Sequence, residues 1–555
     1  MEKNRKKRQK TRFCSLSGGV IALIFALCLN LLSGCAPVSN GKAPSLLDYD
    51  IDVYRVLLRE ATGANTQAQN ALSLCLSLLT SLRFGSEEDR TDERLAPIDE
   101  MMAYYYENGV LPRDPYPGIG DYCSVMDAPL LAVTTELVFE RTDEERFHQY
   151  TLDLIPYCTK STEEGGFVLK LSDSEWWPLE YAWKTVTEED AWFTLNGSLF
   201  GMVCVEMLKN LTQDAGLTEL SEKALAAYRN RMDAFLYPDG SWFKYSLNGP
   251  DGAYVVNRPE KVFIEINSLR ALHILTGEQD YLDWQQERIE AFSNLYPVYL
   301  IKSGDKNTVS FLRSGPPHPY DIDIYSTTLE ILDEAGNVLM TEKCQNRDVR
   351  EVSGAVMIFE APPEAVSYRL YARTNSIEDE LLVEKPLKVV EESELSLEPV
   401  AGKWSFGDDA VSLEDNVLTI QADASEALSA TVNFNFEEPV AYAPETYLVV
   451  DLDNLTEEQF AMTCYLYDEN GVAMTRTMLP CSPGRNYHVL HYTGFKAHDW
   501  PLEAMKAFRM AIVTNQMQEN SGEILLKNMY VCTNTAQLAR LLSGVNFTDF
   551  WTTAD

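Results

Sequence analysis

The hydrophobic period of this chain changes once, near Val298, and that change sets what the chain can fold into. From Leu46 to about Leu300, apolar residues recur at every third or fourth position. One segment does so with Leu199, Phe200, Val203, Met207, Leu208 and Leu211, and another with Val262, Phe263, Ile266, Leu269, Leu272 and Leu275. That spacing gives a helix one apolar face to bury. Short polar or Gly/Pro breaks separate the segments. From residue 301 the spacing falls to two, as in Asp321-Ile322-Asp323-Ile324-Tyr325 and Tyr368-Arg369-Leu370-Tyr371-Ala372. Alternation of that kind puts every second side chain on one face of a strand.

A chain of 555 residues is too long for a single core. Stacked helix pairs over residues 46–300 predict an α/α toroid or a helical array. Residues 301–395, with short strands and turn signals such as Gly336-Asn337, fit an immunoglobulin-like β-sandwich. The acidic stretch Glu391 to Glu398 then leads into residues 396–535. Strands are expected there at Val417–Ile420, Thr431–Phe436, Tyr447–Asp451, Met462–Tyr467 and Ile524–Val531. This pattern resembles the jelly-roll β-sandwich of carbohydrate-binding modules. Trp404, Tyr487, Tyr492 and Trp500 either stack on sugar rings there or fill the core. Residues 536–555 form a tail with room for a short helix.

The N-terminus carries Lys3, Arg5, Lys6, Lys7, Arg8, Lys10 and Arg12 against one acid, Glu2. The apolar run Val20–Leu29 follows, and Leu32-Ser33-Gly34-Cys35 closes it. A basic start, a short apolar run and small residues before a cleavage point make an export signal over residues 1–34. The run is shorter than the roughly 20 residues a membrane span needs. The Leu-Ser-Gly-Cys ending resembles the lipobox of bacterial lipoproteins, which implies lipidation of Cys35 and attachment to a membrane surface. Each buried methylene of such a lipid contributes about 0.8 kcal/mol. Residues 35–45, rich in Pro, Gly and Ser, read as a flexible tether. The expected location is extracytoplasmic, with the helical region nearest the membrane.

Net charge is −38, and removing residues 1–34 brings it near −44. So acidic a surface disfavours nucleic acid and other polyanions. No CxxC or Cys/His ligand spacing occurs after Cys35, so neither a metal nor another cofactor is expected. Cys75 and Cys204 sit in apolar helical runs and read as buried. Cys464 and Cys481 are candidates for a disulfide in an exported domain.

The most informative segment runs from Trp176 to Trp284. It contains Trp177-Pro178-Leu179-Glu180-Tyr181, then Thr194-Leu195-Asn196-Gly197-Ser198-Leu199-Phe200. Asp239-Gly240-Ser241-Trp242-Phe243-Lys244-Tyr245-Ser246-Leu247 follows, and then a helix with Ile266-Asn267-Ser268-Leu269. This ordered set resembles the C-terminal catalytic domain of D-glucuronyl C5-epimerases. Those enzymes carry an aromatic-x-Glu-Tyr element, a Leu-Asn-Gly helix start, a Gly-x-Trp strand ending in Tyr-Asp-Leu, and a last helix of Tyr-His…His-Ile-x-Gln-Leu type. The resemblance implies an α/α toroid and inversion at C5 of a hexuronic acid within a polysaccharide. That chemistry needs a base, an acid, and charge or hydrogen bonds that stabilise the carbanion.

The resemblance gives Tyr245, Tyr254 and Glu180 catalytic roles and makes Tyr181, Asn196, Arg258, Lys261 and Trp242 substrate contacts. Tyr254 enters from the preceding loop, because the family's second tyrosine is missing. Lys261 and Val262 stand at the Tyr-His pair, Glu265 at the second His, Ser268 at the Gln, and Ser246 at the Asp after the first Tyr. Each residue also has a structural reading. Asn196 can serve as a helix N-cap, Glu180-Tyr181 as a buried pair, Trp242 as core, and Arg258 and Lys261 as surface charges. Three functions therefore stand open: an enzyme on an acidic glycan, epimerase-like or a lyase; a glycan-binding lipoprotein without chemistry; and an envelope scaffold.

Overall fold

The computed structural model describes residues 45–58, 70–84, 91–116, 118–237, 240–248, 256–257, 259–294, 297–304, 306–312, 326–345, 356–373, 380–406, 411–421, 429–443, 445–456, 460–491, 496–497, 502–513 and 521–542. Cys35, the export signal, Tyr254, Arg258, Tyr492, Trp500 and the segment Asp321–Tyr325 lie outside the described residues.

The helical region holds α1 (Ile51–Tyr54), α2 (Ala71–Phe84), α3 (Asp92–Asn108), α4 (Ala128–Thr142), α5 (Glu145–Cys158), α6 (Leu195–Thr212), α7 (Ala215–Arg231), α8 (Pro259–Thr276) and α9 (Gln279–Ser293). Two short strands, β1 (Val168–Lys170) and β2 (Trp176–Pro178), pair between α5 and α6. Inner and outer helices differ in burial. Every residue of α6 from Leu195 to Leu208 is buried, and so is every residue of α4 from Ala128 to Val138. Their partners α5 and α7 keep exposed faces. A helix buried all round belongs at the centre of its domain. The packing α2–α4–α6–α8 forms that centre.

Three helix pairs turn by the same device. Thr142, Thr212 and Thr276 each end a helix and donate their hydroxyl to a carbonyl four residues back. The next residue, Asp143, Gln213 or Gly277, adopts the left-handed conformation, with φ of 59°, 57° and 75°. An acidic residue follows as N-cap of the returning helix, and its N–H donates to the threonine Oγ1 at 3.2–3.3 Å. Left-handed C-terminal residues satisfy orphan carbonyls, and an acid suits the positive helix start. Asp214 also accepts from Gly216 and Leu217 at 2.8 and 3.0 Å.

Strands β3 (Tyr299–Ser303), β4 (Lys306–Leu312), β5 (Ser326–Leu332), β6 (Val338–Gln345), β7 (Val356–Glu360), β8 (Ser367–Arg373), β9 (Glu380–Pro386) and β10 (Lys388–Glu391) form two four-stranded sheets. Their orders are β10-β3-β4-β7 and β6-β5-β8-β9. β10 runs parallel to β3, and the other pairs are antiparallel. Strands β11 (Gly402–Phe406), β12 (Val411–Glu414), β13 (Val417–Gln421), β14 (Ser429–Tyr442), β15 (Tyr447–Asn454), β16 (Phe460–Tyr467), β17 (Val472–Cys481), β18 (Gly484–Leu490), β19 (Lys496–Ala497), β20 (Leu502–Val513) and β21 (Ser521–Cys532) form two more. Their orders are β11-β14-β20-β16-β17-β19 and β12-β13-β21-β15-β18. Helix α10 (Thr535–Leu542) covers part of the five-stranded sheet through Leu538 and Leu542, against Tyr447, Val449 and Val489.

One apolar cluster fills the helical region. A second begins at Trp242, Phe263 and Phe292 and continues through Val298 and Leu387 into the sheets. The seven cysteines whose side chains are described are all free. Cys464 and Cys481 are buried and unbridged, so the disulfide considered for them is absent.

Candidate functional site

The site is built where α6 begins. Thr194 is extended (φ −82°, ψ 125°) and is the N-cap of α6. The cap position thus falls two residues before Asn196, which sits inside the first turn and is buried. The segment 244–247 lies alongside. Thr194 bridges Ser246, Lys244 bridges Val256, and the Leu247 N–H donates to the Phe193 carbonyl at 3.3 Å. This register sets Tyr245 beside the helix start.

Glu180 and Tyr181 are pinned from the other side. Leu179 donates to Phe167 and accepts from Val125, both at 2.9 Å, and Ala182 exchanges two backbone bonds with Cys123. The dipeptide between them is held rigidly at the start of α6. The Glu180 carboxyl lies directly over Gly197, where an added Cβ would overlap it. Only glycine permits that approach, and this is a steric reason for the Leu-Asn-Gly element.

Burial pushes the Glu180 pKa up, while Lys261, Thr194, Tyr181 and Arg113 pull against it. Burial also drives the Tyr181 pKa far up, with Glu180 and the neighbouring Tyr245 hydroxyl adding to it. Tyr181 therefore stays protonated and acts as a hydrogen donor. Glu180 Oε2, Thr194 Oγ1 and Asn196 Oδ1 have no hydrogen-bond partner among the described residues. Buried polar atoms are normally paired, so three orphans at one helix start mark a place for a ligand or water.

An aromatic wall surrounds Tyr181. Its ring centroid lies 5.2 Å from Tyr116, 5.5 Å from Tyr122 in a stacked arrangement, and 5.4 Å from Trp192. Arg113 stands behind this wall. Its Nε donates to the Tyr122 hydroxyl at 2.7 Å, and a terminal nitrogen reaches Asp127 at 2.5 Å. Charges here come in opposite pairs, Arg113 and Lys261 against Asp127 and Glu180, despite the acidity of the whole chain.

Of the residues singled out in the sequence, the structure gathers Glu180, Tyr181, Asn196, Tyr245 and Lys261. Trp242 does not join them. It is fully buried, its indole N–H donates to the Asn257 carbonyl at 2.6 Å, and it packs on Phe243 and Phe292. Its role is core, and the substrate contact expected of it is not made. Glu265, at the place of the family's second His, is locked to Arg288 at 2.7 Å and accepts from Asn257 at 2.7 Å. Arg113, Tyr116, Tyr122 and Trp192 were not anticipated. For Arg113 and Tyr116 alone a local signal exists, the Arg-Asp-Pro-Tyr-Pro-Gly segment at 113–118 with a cation and a ring between turn formers; Tyr122 and Trp192 carry none. Among the described residues, no group of three His, Cys, Asp or Glu side chains could hold a metal ion, and no helix is long and apolar enough to cross a membrane.

The start of α6 thus faces an aromatic wall, neighbouring tyrosine hydroxyls and charges of both signs. Residues 121–290 match the D-glucuronyl C5-epimerase C-terminus family. No curated protein matches the chain. Solved structures similar in part include an agarase, AgWH50C, at 16% identity over 23% of this chain and 22% of that one, with a TM-score of 0.19. An unsaturated glucuronyl hydrolase specific for heparin shares 12% identity over 42% of this chain and 64% of its own, with a TM-score of 0.29. A family 29 carbohydrate binding module shares 13% identity over 25% of this chain and 81% of its own, with a TM-score of 0.16. The chain thus spans about a fifth of the agarase and under two thirds of the hydrolase.

Proposed function

We propose that this chain is a surface-anchored lipoprotein whose helical region, an α/α toroid, acts on a uronic-acid-containing polysaccharide by removing and returning the proton at C5. The observation that carries this reading is the convergence of Glu180, Tyr181, Tyr245 and Lys261 at the α6 start, within the segment that matches the epimerase family. In this reading the aromatic wall takes the face of a pyranose ring. Lys261 meets the substrate carboxylate and steadies the carbanion formed on it. Tyr245 takes the C5 proton while its own hydroxyl proton passes through the neighbouring Tyr181 hydroxyl to the Glu180 carboxylate, and the reverse relay returns a proton to the sugar. Two neighbouring hydroxyls serve one face of the sugar. Inversion needs a second donor on the opposite face, and Tyr254 is the residue assigned to it, with Arg258 as the second cation. The Cys35 anchor, the extracytoplasmic location, and the immunoglobulin-like and jelly-roll character of the two β-regions belong to the same proposal.

Hydrogen exchange at C5 of glucuronate-containing glycans in deuterated water tests it. Deuterium uptake that disappears in Tyr245→Phe is expected. No uptake across a broad uronate panel, or unchanged uptake in the variant, overturns it. A second reading, glycan capture without chemistry, is favoured by one observation: the family's second His position is occupied by Glu265 and consumed in a buried ion pair. Binding without exchange would decide for it.

A further inference from the structure

The second β-region has a cleft where three interruptions of its sheets meet. The Val400 N–H donates to the Met529 carbonyl at 2.7 Å, which holds residues 399–400 beside β21. Two residues later Gly402 begins β11 in the other sheet, paired with Phe436. On β21 the register against β15 slips between Asn528 and Leu526, so Lys527 is the extra residue of a bulge. Asn416, left-handed at φ 63°, closes the turn before β13. Between these features lies a cleft of about 290 Å³ whose lining includes Trp404, Phe434, Asn416, Lys527 and Asn528.

Its wall is a built feature. Trp404 meets Phe434 edge to face at 4.9 Å and is only partly covered. A Cβ at Gly402 would collide with the Phe434 ring, so glycine is required for this packing. The volume lies at the lower end of small-ligand pockets, which run from about 300 to 1,000 Å³, and suits a single ring. Both charged residues in the lining, Lys403 and Lys527, are basic in a chain of net charge −38. Lys527 is steadied by Asp453 at 2.6 Å. Asp453 stands opposite Arg485 on β18, which grips Asp451 through two bonds and lies 4.7 Å from the Tyr487 ring centroid. A strip of planar polar groups and one aromatic ring thus leads away from the cleft, a surface on which a sugar chain can lie.

We propose that this cleft is a second saccharide subsite, in which Trp404 stacks on one pyranose ring while Lys527 and Asn528 receive its carboxylate. Only the choice of an acidic sugar rests on the function proposed above. The full mature chain is titrated calorimetrically with a glucuronate-containing hexasaccharide and with cellohexaose, using the parent, Trp404→Ala, Asn528→Ala and Tyr245→Phe. The acidic probe is expected to bind more tightly than cellohexaose. Trp404→Ala should lose about tenfold in affinity, the scale of one anchoring contact. Asn528→Ala should lose less, and it keeps the test open where Trp404→Ala fails to fold. Tyr245→Phe should lose C5 exchange while keeping the affinity that depends on Trp404. Equal binding of the two probes, or parental affinity in both cleft variants, overturns the proposal. Absence of C5 exchange with the Trp404 effect intact strikes the catalytic reading alone.

Discussion

Glu180 and Glu265 are both buried carboxylates of the helical region, and burial pushes the pKa of each upward. Their surroundings differ. Glu265 accepts from Asn257 on one oxygen and from Arg288 on the other, each at 2.7 Å. The Arg288 guanidinium is itself fully buried and lies 4.7 Å from the Phe243 ring centroid. Glu180 has an oxygen with no partner, next to two more orphan oxygens on Thr194 and Asn196. Both Glu265 oxygens are thus taken, although Asn257 Oδ1 has no hydrogen-bond partner among the described residues; a buried carboxylate paired on both oxygens braces the fold, whereas one with an unpaired oxygen leaves a place for a ligand or water. Glu265 is thus a structural brace, and the Glu180-Tyr181 pair leaves an unpaired oxygen. The contrast gives Glu265 a structural role, and in the proposed function it leaves chemistry to Glu180.

Breaking the brace should have the largest effect. Arg288→Ala strands the Glu265 charge in the core, and losing one partner of a buried pair costs about 3–5 kcal/mol. Denaturant unfolding of the full chain should show a loss of that size in the helical transition. Near-parental stability would mean that Glu265 is not a brace. The matching change at the open site should spare the fold and remove the chemistry. Glu180→Gln keeps the volume and removes a buried charge, so the melting temperature should hold or rise slightly while C5 exchange falls about 100-fold, the scale of one acid-base group. If Glu180→Gln unfolds the protein instead, the two carboxylates have been assigned the wrong way round.

Parts of this contrast were legible in the sequence. The apolar spacing of Leu199 to Leu211 and of Val262 to Leu275 corresponds to α6 and α8, and the alternation at Tyr368–Ala372 to β8. The Thr-x-acid turns at Thr142, Thr212 and Thr276 were also present in the letters, but a local capping motif stands out only once helix ends are known. The aromatic wall was not legible. Tyr116 and Tyr122 come from one connection and Tyr181 and Trp192 from another, and no periodicity links loop residues. Trp242 misled because a Gly-x-Trp element carries no mark of which face will be covered, and here Phe243 and Phe292 pack on it. Asn196 was read as the cap because the Leu before it looks like an ordinary start. The backbone turns helical two residues earlier than that reading assumes, leaving the cap to Thr194.

A smaller effect probes the contact between the two motif elements. Gly197→Ala places a methyl group into the Glu180 carboxyl, and overpacking of this kind costs about 1–3 kcal/mol. The same substitution in a Glu180→Ala background should cost much less, because the clashing group is gone. The double-mutant cycle therefore predicts a coupling opposite in sign to the single Gly197→Ala cost and similar in size. Strict additivity would mean that glycine is needed there for another reason.

The smallest effect concerns pH. Burial raises the folded pKa of Glu180 above the ordinary glutamate value of 4.5, so between those two values the folded state binds more protons than the unfolded chain. Stability then falls as pH rises through that window and levels off above the folded pKa, where the buried carboxylate is charged in both states. Glu180→Gln has no proton to lose, so its stability should not show this fall. The variant should gain on the parent as pH rises through the window and keep the gain at neutral pH. Glu265 shares the direction of shift, so its contribution is present in both proteins and cancels in the difference. Denaturant midpoints for parent and variant from pH 4 to pH 8 read out that difference directly. A gain that shrinks with rising pH would mean that the folded environment favours the Glu180 carboxylate, and the contrast with Glu265 would fail at its electrostatic root.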